Sequence, residues 1–233
     1  MQKLAILTAL REEMNAVAAA VPKGSEIEVV RGGIGPDSAA RAAADFFKSP
    51  EHPFSLCSAG FCGGLADGLA VGDVVLATAI AEGDAAKRER IEIPPKLLKD
   101  ISESLKAAGI AFHSGTIVSV RDPVLQSAAK RALGSSNSAL AVDMESYAIA
   151  EIARLHGINF FAVRVVSDAV GDELPAEVGE FLDADGKVRT TVVARFALGG
   201  PANMKKLWEL KGRSDKAAKA LTAAWTVILR NHR

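Results

Sequence analysis

The chain has 233 residues, of which 49% are hydrophobic, and its 28 Lys and Arg residues balance its 28 Asp and Glu residues. A chain of this length can bury a substantial core, and the charge balance gives no basis for binding nucleic acid or an anionic membrane. No Pro- or Ser-rich linker divides it. We therefore expect a single domain over residues 1–233 that binds a small molecule.

Short apolar runs alternate with amphipathic patterns along the chain, which is typical of strands connected by helices. The runs predicted as strands are Leu4–Thr8, Ile27–Val30, Phe54–Ser58, Asp73–Ile80, Gly115–Val120, Leu140–Val142 and Phe160–Val166. The patterns predicted as helices are Glu12–Ala20, Asp37–Phe47, Lys96–Ala108, Val124–Leu133 and Met144–His156. This alternation predicts an α/β fold, a single three-layer α/β/α domain with a mixed, mostly parallel central sheet.

Two segments depart from the alternation. The charged stretch Glu82–Ile93 predicts a loop near a binding site or at an interface. Pro201–Arg230 predicts an amphipathic helix with a face rich in Lys and Arg. The favoured interpretation is a helix packed on the sheet with its lysines in solvent, and peripheral contact with a membrane stays open as the alternative.

The sequence contains no signal that predicts export or insertion into a membrane. The amino terminus enters an apolar strand without a basic leader, and no run of about 18 apolar residues could form an integral membrane segment. Cys57 and Cys62 lack a second Cys pair, and none of the histidines stands at metal-ligand spacing. We expect a cytoplasmic protein with reduced, buried cysteines and no metal.

A helix and a strand in the second half of the chain carry polar residues at their ends. Glu145 stands at the start of the predicted helix. Ser167 and Asp168 follow the run Phe160–Val166, which is apolar except for Arg164. Such a run is typical of a central strand covered on both faces, and open α/β sheets bind ligands at the carboxyl ends of their strands. Ser167 and Asp168 therefore predict a ligand site at the end of this strand.

Four segments, in order, carry a resemblance to a known family: KLAILTALREEM, GGIGPDSAA, SAGFCGGLADGLAVGDVVLAT, and AVDMESYAIA with VRVVSDAV. They resemble the nucleoside phosphorylase and methylthioadenosine/adenosylhomocysteine nucleosidase superfamily in its first acidic turn, Gly-rich turns, ribose-binding Met-Glu helix and catalytic-acid strand. From Glu173 onward the chain is more similar to the hopanoid-associated branch, whose members are proposed to release adenine from adenosylhopane.

The resemblance implies an enzyme, a purine nucleosidase or nucleoside phosphorylase, that cleaves the N-glycosidic bond of an adenine nucleoside or 5′-modified adenosine. The bond would be cleaved by hydrolysis, or by phosphorolysis with inorganic phosphate as co-substrate. It implies no other cofactor, a small nucleoside as the partner, and a homo-oligomer of two or more chains. The 5′ substituent stays open, from a hydroxyl to a thioether or a polycyclic lipid.

The resemblance also implies roles for individual residues. Asp168 would be the catalytic acid that protonates the leaving base, and Glu13 would activate water on the other side of the sugar. Glu145 would accept hydrogen bonds from the ribose hydroxyls, since a carboxylate matches a vicinal diol. The substrate-binding residues implied in this way are Met144, Glu145, Ser167, Cys62, Gly63 and Val120.

A second set of residues could bind an anion. Glycine amides and helix N-termini bind anions, and arginine matches phosphate oxygens. The candidates are Gly33, Gly35, Arg11, Arg121 and Arg164. Arg164 suits a structural ion pair equally well, and Glu13 beside a phosphate dianion would add like-charge repulsion. Water is slightly favoured as the nucleophile, and phosphate stays open.

Two departures from the family pattern leave an alternative function. Phe61 stands where the family has a serine near the nucleophile, and VSVRDPVL lacks the phenylalanine that would stack on the base, so Val120 or a neighbour must serve. A non-catalytic nucleoside-binding relative is the alternative, but a binder has little need for opposed carboxyl groups. A nicotinamide-binding protein fits poorly, because no GxGxxG motif follows the first strand.

Overall fold

This computed structural model of the protein describes residues 3–83, 89–181, 183 and 188–230. Its strands are β1 (Leu4–Thr8), β2 (Ile27–Arg31), β3 (Ser55–Gly64), β4 (Val74–Glu82), β5 (Arg90–Glu92), β6 (Phe112–Ser119), β7 (Ala139–Asp143) and β8 (Asn159–Asp168). Its helices are α1 (Arg11–Ala18), α2 (Pro36–Asp45), α3 (Pro95–Ala107), α4 (Ser127–Asn137), α5 (Ser146–Leu155), α6 (Thr190–Leu198) and α7 (Pro201–Arg230). Short 3-10 turns lie at Phe46–Lys48 and Ala176–Glu180.

The strands of the described residues form one mixed sheet of eight. β1 is parallel to β2 and β3, β3 is parallel to β8, and β6 is parallel to β4 and β7. The pairs β3–β7, β4–β5 and β4–β8 are antiparallel. As a result, β3, β8, β4, β6 and β7 close on one another. The predicted α/β class with a mixed, mostly parallel sheet is confirmed.

The core lies where apolar strands meet the long carboxyl-terminal helix. Every residue of β1 is buried, and β8 is buried over most of its length. The ring of Trp225 in α7 is fully buried, with its centroid 6.0 Å from that of Phe161 in β8. Helix α7 also packs against α1, α3 and α6, whereas α2 packs against α5. The predicted terminal helix therefore forms part of the core.

Two predicted helix starts are wrong, and both differences affect the site. Helix α5 begins at Ser146 because the Asp143 carboxylate accepts the backbone N–H groups of Glu145 and Ser146, so Glu145 precedes the helix. Helix α4 begins at Ser127, after an extended Gln126. The short strand β5 and helix α6 were not predicted at all.

Residues 84–88 of the predicted charged loop lie outside the described residues. Among the helices that the structure describes, none is long and apolar enough to cross a membrane.

Candidate active site

A cavity of about 320 Å³ opens where β1, β3, β7 and β8 end. Its walls include every residue that the sequence predicted for catalysis or substrate binding: Glu13, Asp168, Met144, Glu145, Ser167, Cys62, Gly63 and Val120. Ligand pockets of a few hundred Å³, mostly apolar with a few polar groups, are typical of small-molecule sites. The fold therefore brings these eight residues together, while their individual roles stay predictions.

Glu13 occupies the first turn of α1, just after β1 ends. Its Oε2 atom accepts the backbone N–H groups of Ala9 at 2.9 Å and Leu10 at 2.8 Å. Its Oε1 atom accepts the N–H of Phe61 in β3 at 2.7 Å. Burial nevertheless raises the pKa of this carboxyl above its ordinary value. Glu13 is thus held rigidly and has more affinity for a proton than a glutamate in water, which suits a general base.

Gly60 makes this placement of Glu13 sterically feasible. It has a φ of +153°, and a Cβ atom there would lie 2.5 Å from Glu13 Oε1 and 2.7 Å from Arg164 Nη1. Both distances are far below van der Waals contact. Only glycine lets the carboxylate and the guanidinium approach the backbone of β3 so closely.

Arg164 lies behind the cavity, 1% exposed, at the centre of a cluster of acids. Its Nη2 atom is 2.9 Å from Asp143 Oδ2 and 3.4 Å from Glu145 Oε2, and it donates to Ser58 Oγ at 2.7 Å. Asp143, Glu145 and Glu13 together raise the pKa of the guanidinium above its ordinary value, although its burial acts in the opposite direction. Arg164 is therefore a structural counter-charge and does not line the cavity.

Glu145 spans the distance between this cluster and the glycine-rich turn. Its Oε1 atom accepts the backbone N–H of Gly35 at 2.9 Å. Burial raises the pKa of Glu145 to about 7, helped by the nearby Asp143 and Glu13 carboxyls and opposed by Arg164 and by the Gly35 hydrogen bond. One arginine does not fully compensate the buried acids around it, so Glu13 and Glu145 take up protons more readily than ordinary glutamates do.

Asp168 ends β8 and contacts a residue that sequence reasoning missed. The Lys130 ammonium group, fully buried in α4, forms an ion pair with Asp168 Oδ2. The Ser167 hydroxyl lies 2.7 Å from Asp168 Oδ1. Lys130 belongs to an ordinary amphipathic helix pattern, and nothing in its neighbourhood in the sequence distinguishes it from the exposed Arg131 beside it.

The predicted anion-binding residues do not form a free anion site in the described part of the chain. The Gly35 amide is occupied by Glu145, and Gly33 does not line the cavity. Arg121 pairs with Asp37 at 2.9 Å near the surface. Arg11 is exposed and lines a separate groove. Arg164 was predicted to contact either an anion or a structural partner, and the structure favours the second interpretation.

That groove has a volume of about 1330 Å³ and adjoins the cavity. The two share five lining residues: Leu10, Ser167, Asp168, Leu174 and Val178. Apolar side chains form most of its walls, and those from α6 and α7 include Val193, Met204 and Trp208, which is 73% exposed. The groove residues from Leu174 onward were not predicted as part of a site.

An α/β sheet with a mostly apolar cavity that contains buried carboxyl groups at the ends of its strands is typical of an enzyme that acts on a small molecule. The chain belongs to the Phosphorylase superfamily, whose family model matches residues 11–197.

Two relatives agree with this assignment. The chain is 29% identical to the 5′-methylthioadenosine/S-adenosylhomocysteine nucleosidase of Halalkalibacterium halodurans over 178 residues, covering 69% of this chain and 75% of that protein. It is 27% identical to the enzyme of the same name from Listeria monocytogenes over 191 residues, 73% and 80% of the two chains.

The solved structures show the same fold at lower sequence identity. A Helicobacter pylori 5′-methylthioadenosine/S-adenosyl homocysteine nucleosidase in complex with a substituted pyrrolidinol superposes with a TM-score of 0.71 at 20% identity, covering 96% of this chain and 97% of that one. The futalosine hydrolase of Helicobacter pylori superposes with a TM-score of 0.72, also at 20% identity and with the same coverage.

Proposed function

We propose that this protein is an enzyme that cleaves the N-glycosidic bond of an adenine nucleoside, with water as the nucleophile. The observation that carries the proposal is one cavity lined by two carboxyl groups in different environments, Glu13 and Asp168, with Glu145 beside them. Glycosidic cleavage requires an acid for the leaving group and a base for the nucleophile. The nucleosidases named above, which resemble this chain over about 70% of its length, support the same reaction class.

In this mechanism Asp168 protonates N7 of the purine. As the bond between N9 and C1′ breaks, its electron pair passes to the base, and the ribosyl group becomes an oxocarbenium ion. Water attacks C1′, and its proton passes to Glu13. Since four lone-pair positions are available on a carboxylate and three of those on Glu13 accept backbone N–H groups, one remains for water.

Glu145 and Met144 bind the sugar. Glu145 accepts hydrogen bonds from the 2′- and 3′-hydroxyl groups, and Met144 provides an apolar wall. Val120, Cys62 and Gly63 form the wall of the base pocket, in which Val120 replaces the stacking aromatic side chain of the resembled family.

Water is favoured over phosphate by the charges around the cavity. The candidate groups for phosphate, Gly35, Arg121 and Arg164, already have partners within the protein. Glu13 and Glu145 would repel a phosphate dianion placed next to the sugar. The proposal therefore includes no cofactor and no phosphate.

The apolar groove supports a bulky apolar 5′ substituent on the substrate. Its volume of about 1330 Å³ greatly exceeds the needs of a methylthio group, and it adjoins the cavity at Leu10, Leu174 and Val178. A 5′-modified adenosine with a polycyclic lipid, such as adenosylhopane in hopanoid biosynthesis, is the substrate that we propose on this ground.

The remaining parts of the proposal concern the whole protein. We infer a single domain over residues 1–233 and a cytoplasmic homo-oligomer. Leu198 and Trp208, both largely exposed, are apolar side chains that contact with a second copy would cover. Peripheral contact with a lipid surface is the competing use of the same side chains.

Adenine release tests the proposal. The protein is incubated with adenosine, 5′-methylthioadenosine and adenosines with long apolar 5′ substituents, with and without inorganic phosphate, and free adenine and the sugar product are quantified by chromatography. We expect adenine and a free ribosyl product without phosphate, with the highest kcat/KM for the apolar substituents. Release that requires phosphate and yields a ribosyl 1-phosphate would make the protein a phosphorylase. Tight binding without release from any of these nucleosides would make it a binding protein.

A further inference from the structure

Lys130 is a fully buried lysine that forms its contacts at the carboxyl end of β8. Besides the ion pair with Asp168 Oδ2, its Nζ atom donates to the carbonyl oxygen of Ala169 at 3.1 Å and to that of Asp172 at 2.8 Å. Lys130 does not line the cavity, whereas Asp168 does. The contact that connects Lys130 to the cavity is therefore the one with Asp168.

The contacts of Lys130 define its charge. A neutral amine has two N–H groups, whereas an ammonium group has three, and three acceptors surround this nitrogen. Lys130 is therefore an ammonium ion, and a buried ammonium ion is stable when it is paired and hydrogen-bonded. Asp168 provides the counter-charge, and the Ser167 hydroxyl contacts its other carboxyl oxygen.

We propose that Lys130 is a positioning residue that sets the protonation equilibrium and the orientation of the acid Asp168. The inference rests on the proposed function, in which Asp168 protonates the leaving base. Lys130 stabilises the ionised carboxylate that remains after each proton transfer, which makes the protonated form of Asp168 a stronger acid. The backbone carbonyl contacts to Ala169 and Asp172 fix Lys130 to the turn after β8, so the carboxylate keeps one orientation.

The proton balance of the cycle follows from this pairing. Before each turnover Glu13 releases to solvent the proton that it accepted from water in the previous cycle, and Asp168 takes one proton from solvent. It transfers that proton to N7 while the glycosidic bond breaks, and it returns to the ionised state beside Lys130, whose own protons stay in place. The fraction of enzyme with a protonated Asp168 falls as pH rises, so activity falls on the alkaline side.

Other charged groups near the pair are already compensated or lie across the cavity. Asp172 pairs through its side chain with Arg213 of α7 at 3.0 Å, and Arg131 of α4 pairs with Asp67 at 2.8 Å. Across the cavity lie Glu13 from α1 and the cluster of Asp143, Glu145 and Arg164. Of these groups, Glu13 and Glu145 have raised pKa values, and both act in the ionised form, Glu13 as a base and Glu145 as a hydrogen-bond acceptor, so their protonation lowers activity on the acidic side.

The experiment compares pH profiles of kcat for adenine release in Lys130→Met, Lys130→Arg and Arg131→Met. Lys130→Met removes the charge, Lys130→Arg keeps it, and Arg131→Met removes an equal charge from the adjacent residue of the same helix, where the side chain is half-exposed. Thermal unfolding shows whether each variant folds.

We expect the alkaline fall in kcat to move to higher pH by about one to three units in Lys130→Met, as for an acid that loses a contacting cation. Lys130→Arg and Arg131→Met should keep the parent profile. A purely structural role would lower kcat by the same factor at every pH without moving the profile, and that result would overturn the inference.

A substitute variant and a second measurement keep the inference testable. If Lys130→Met does not fold, Lys130→Gln, which keeps N–H donors without the charge, takes its place in the same comparison. A pH titration of the ¹³C-labelled Asp168 carboxyl signal by NMR requires no turnover. If the parent protein releases no adenine, the proposed function fails, while the absence of any difference between the Asp168 titrations of the parent and Lys130→Met would separately refute the role of Lys130.

Discussion

Replacing Glu145 by glutamine should stabilise the folded protein at alkaline pH, although Glu145 contacts an arginine. Burial and two neighbouring acids raise the pKa of Glu145 to about 7 despite Arg164, so the ionised side chain is less stable in the fold than in water. Glutamine has the same shape, remains neutral and can still accept the Gly35 amide. The substitution therefore removes an unfavourable charge rather than a favourable ion pair.

The pKa gives the size of the effect. A rise from the ordinary 4.5 to about 7 corresponds to a cost of about 3 kcal/mol for the ionised form, at about 1.4 kcal/mol per pH unit. Between pH 4.5 and 7 the folded protein binds a proton at Glu145 that the unfolded chain does not, so the parent gains stability as pH falls below 7 and loses it as pH rises through 7. The advantage of Glu145→Gln should therefore be about 3 kcal/mol at pH 8.5 and about 1 kcal/mol at pH 5.5.

Urea unfolding at these two pH values measures the difference. Glu151→Gln is the matched control, because Glu151 lies in α5, the helix that Glu145 precedes, is 44% exposed at its side chain and pairs with Arg154 at the surface. Exposed ion pairs contribute little, so the control should behave like the parent at both pH values. A Glu145→Gln variant that is less stable than the parent at pH 8.5 would show that attraction to Arg164 exceeds the cost of burial, contrary to our reasoning.

Two further predictions concern turnover and the position of Glu13. Asp168→Asn should keep substrate binding and lower kcat by about two to four orders of magnitude, the usual contribution of a positioned acid, and unchanged kcat for adenine release would remove Asp168 from the mechanism. Gly60→Ala should displace Glu13, because the new methyl group would lie 2.5 Å from Oε1, and so lower both the melting temperature and kcat. Gly171→Ala, where a Cβ atom meets no neighbour within 4 Å, is its control, and equal behaviour of the two variants would contradict the steric argument.

The sequence predicts the parts of this protein in which local pattern and tertiary structure agree. The boundaries of β1 and α7 match their predicted ranges, because continuous apolar runs and long amphipathic patterns remain legible without tertiary information. Helix α5 begins later than predicted, since the Asp143 side chain caps it. Helix α6 was missed because its residues are largely exposed or half-buried and show no clear apolar face.

The residues of the cavity were predictable from the sequence, whereas the buried lysine behind it was not. Eight predicted residues line it because they lie at or shortly after the carboxyl ends of strands, where open α/β sheets bind ligands. Lys130 lies 38 positions before its partner Asp168, within a helix where Arg131 is equally basic and points to solvent. Which of two adjacent basic residues is buried depends on the packing of α4 against the end of β8. Composition and periodicity do not contain that information.

The buried charges connect the choice of nucleophile to the chemistry at the sugar. Three acids, Glu13, Asp143 and Glu145, share one counter-charge at Arg164, which leaves the sugar side of the cavity negative when they are ionised. A negative environment stabilises an oxocarbenium ion, because the charge develops where the fixed carboxylates already point. The same environment opposes entry of a phosphate dianion and leaves neutral water unaffected. An arrangement that favours the transition state of glycosidic cleavage thus disfavours phosphorolysis, so the two parts of the proposed function depend on the same four side chains.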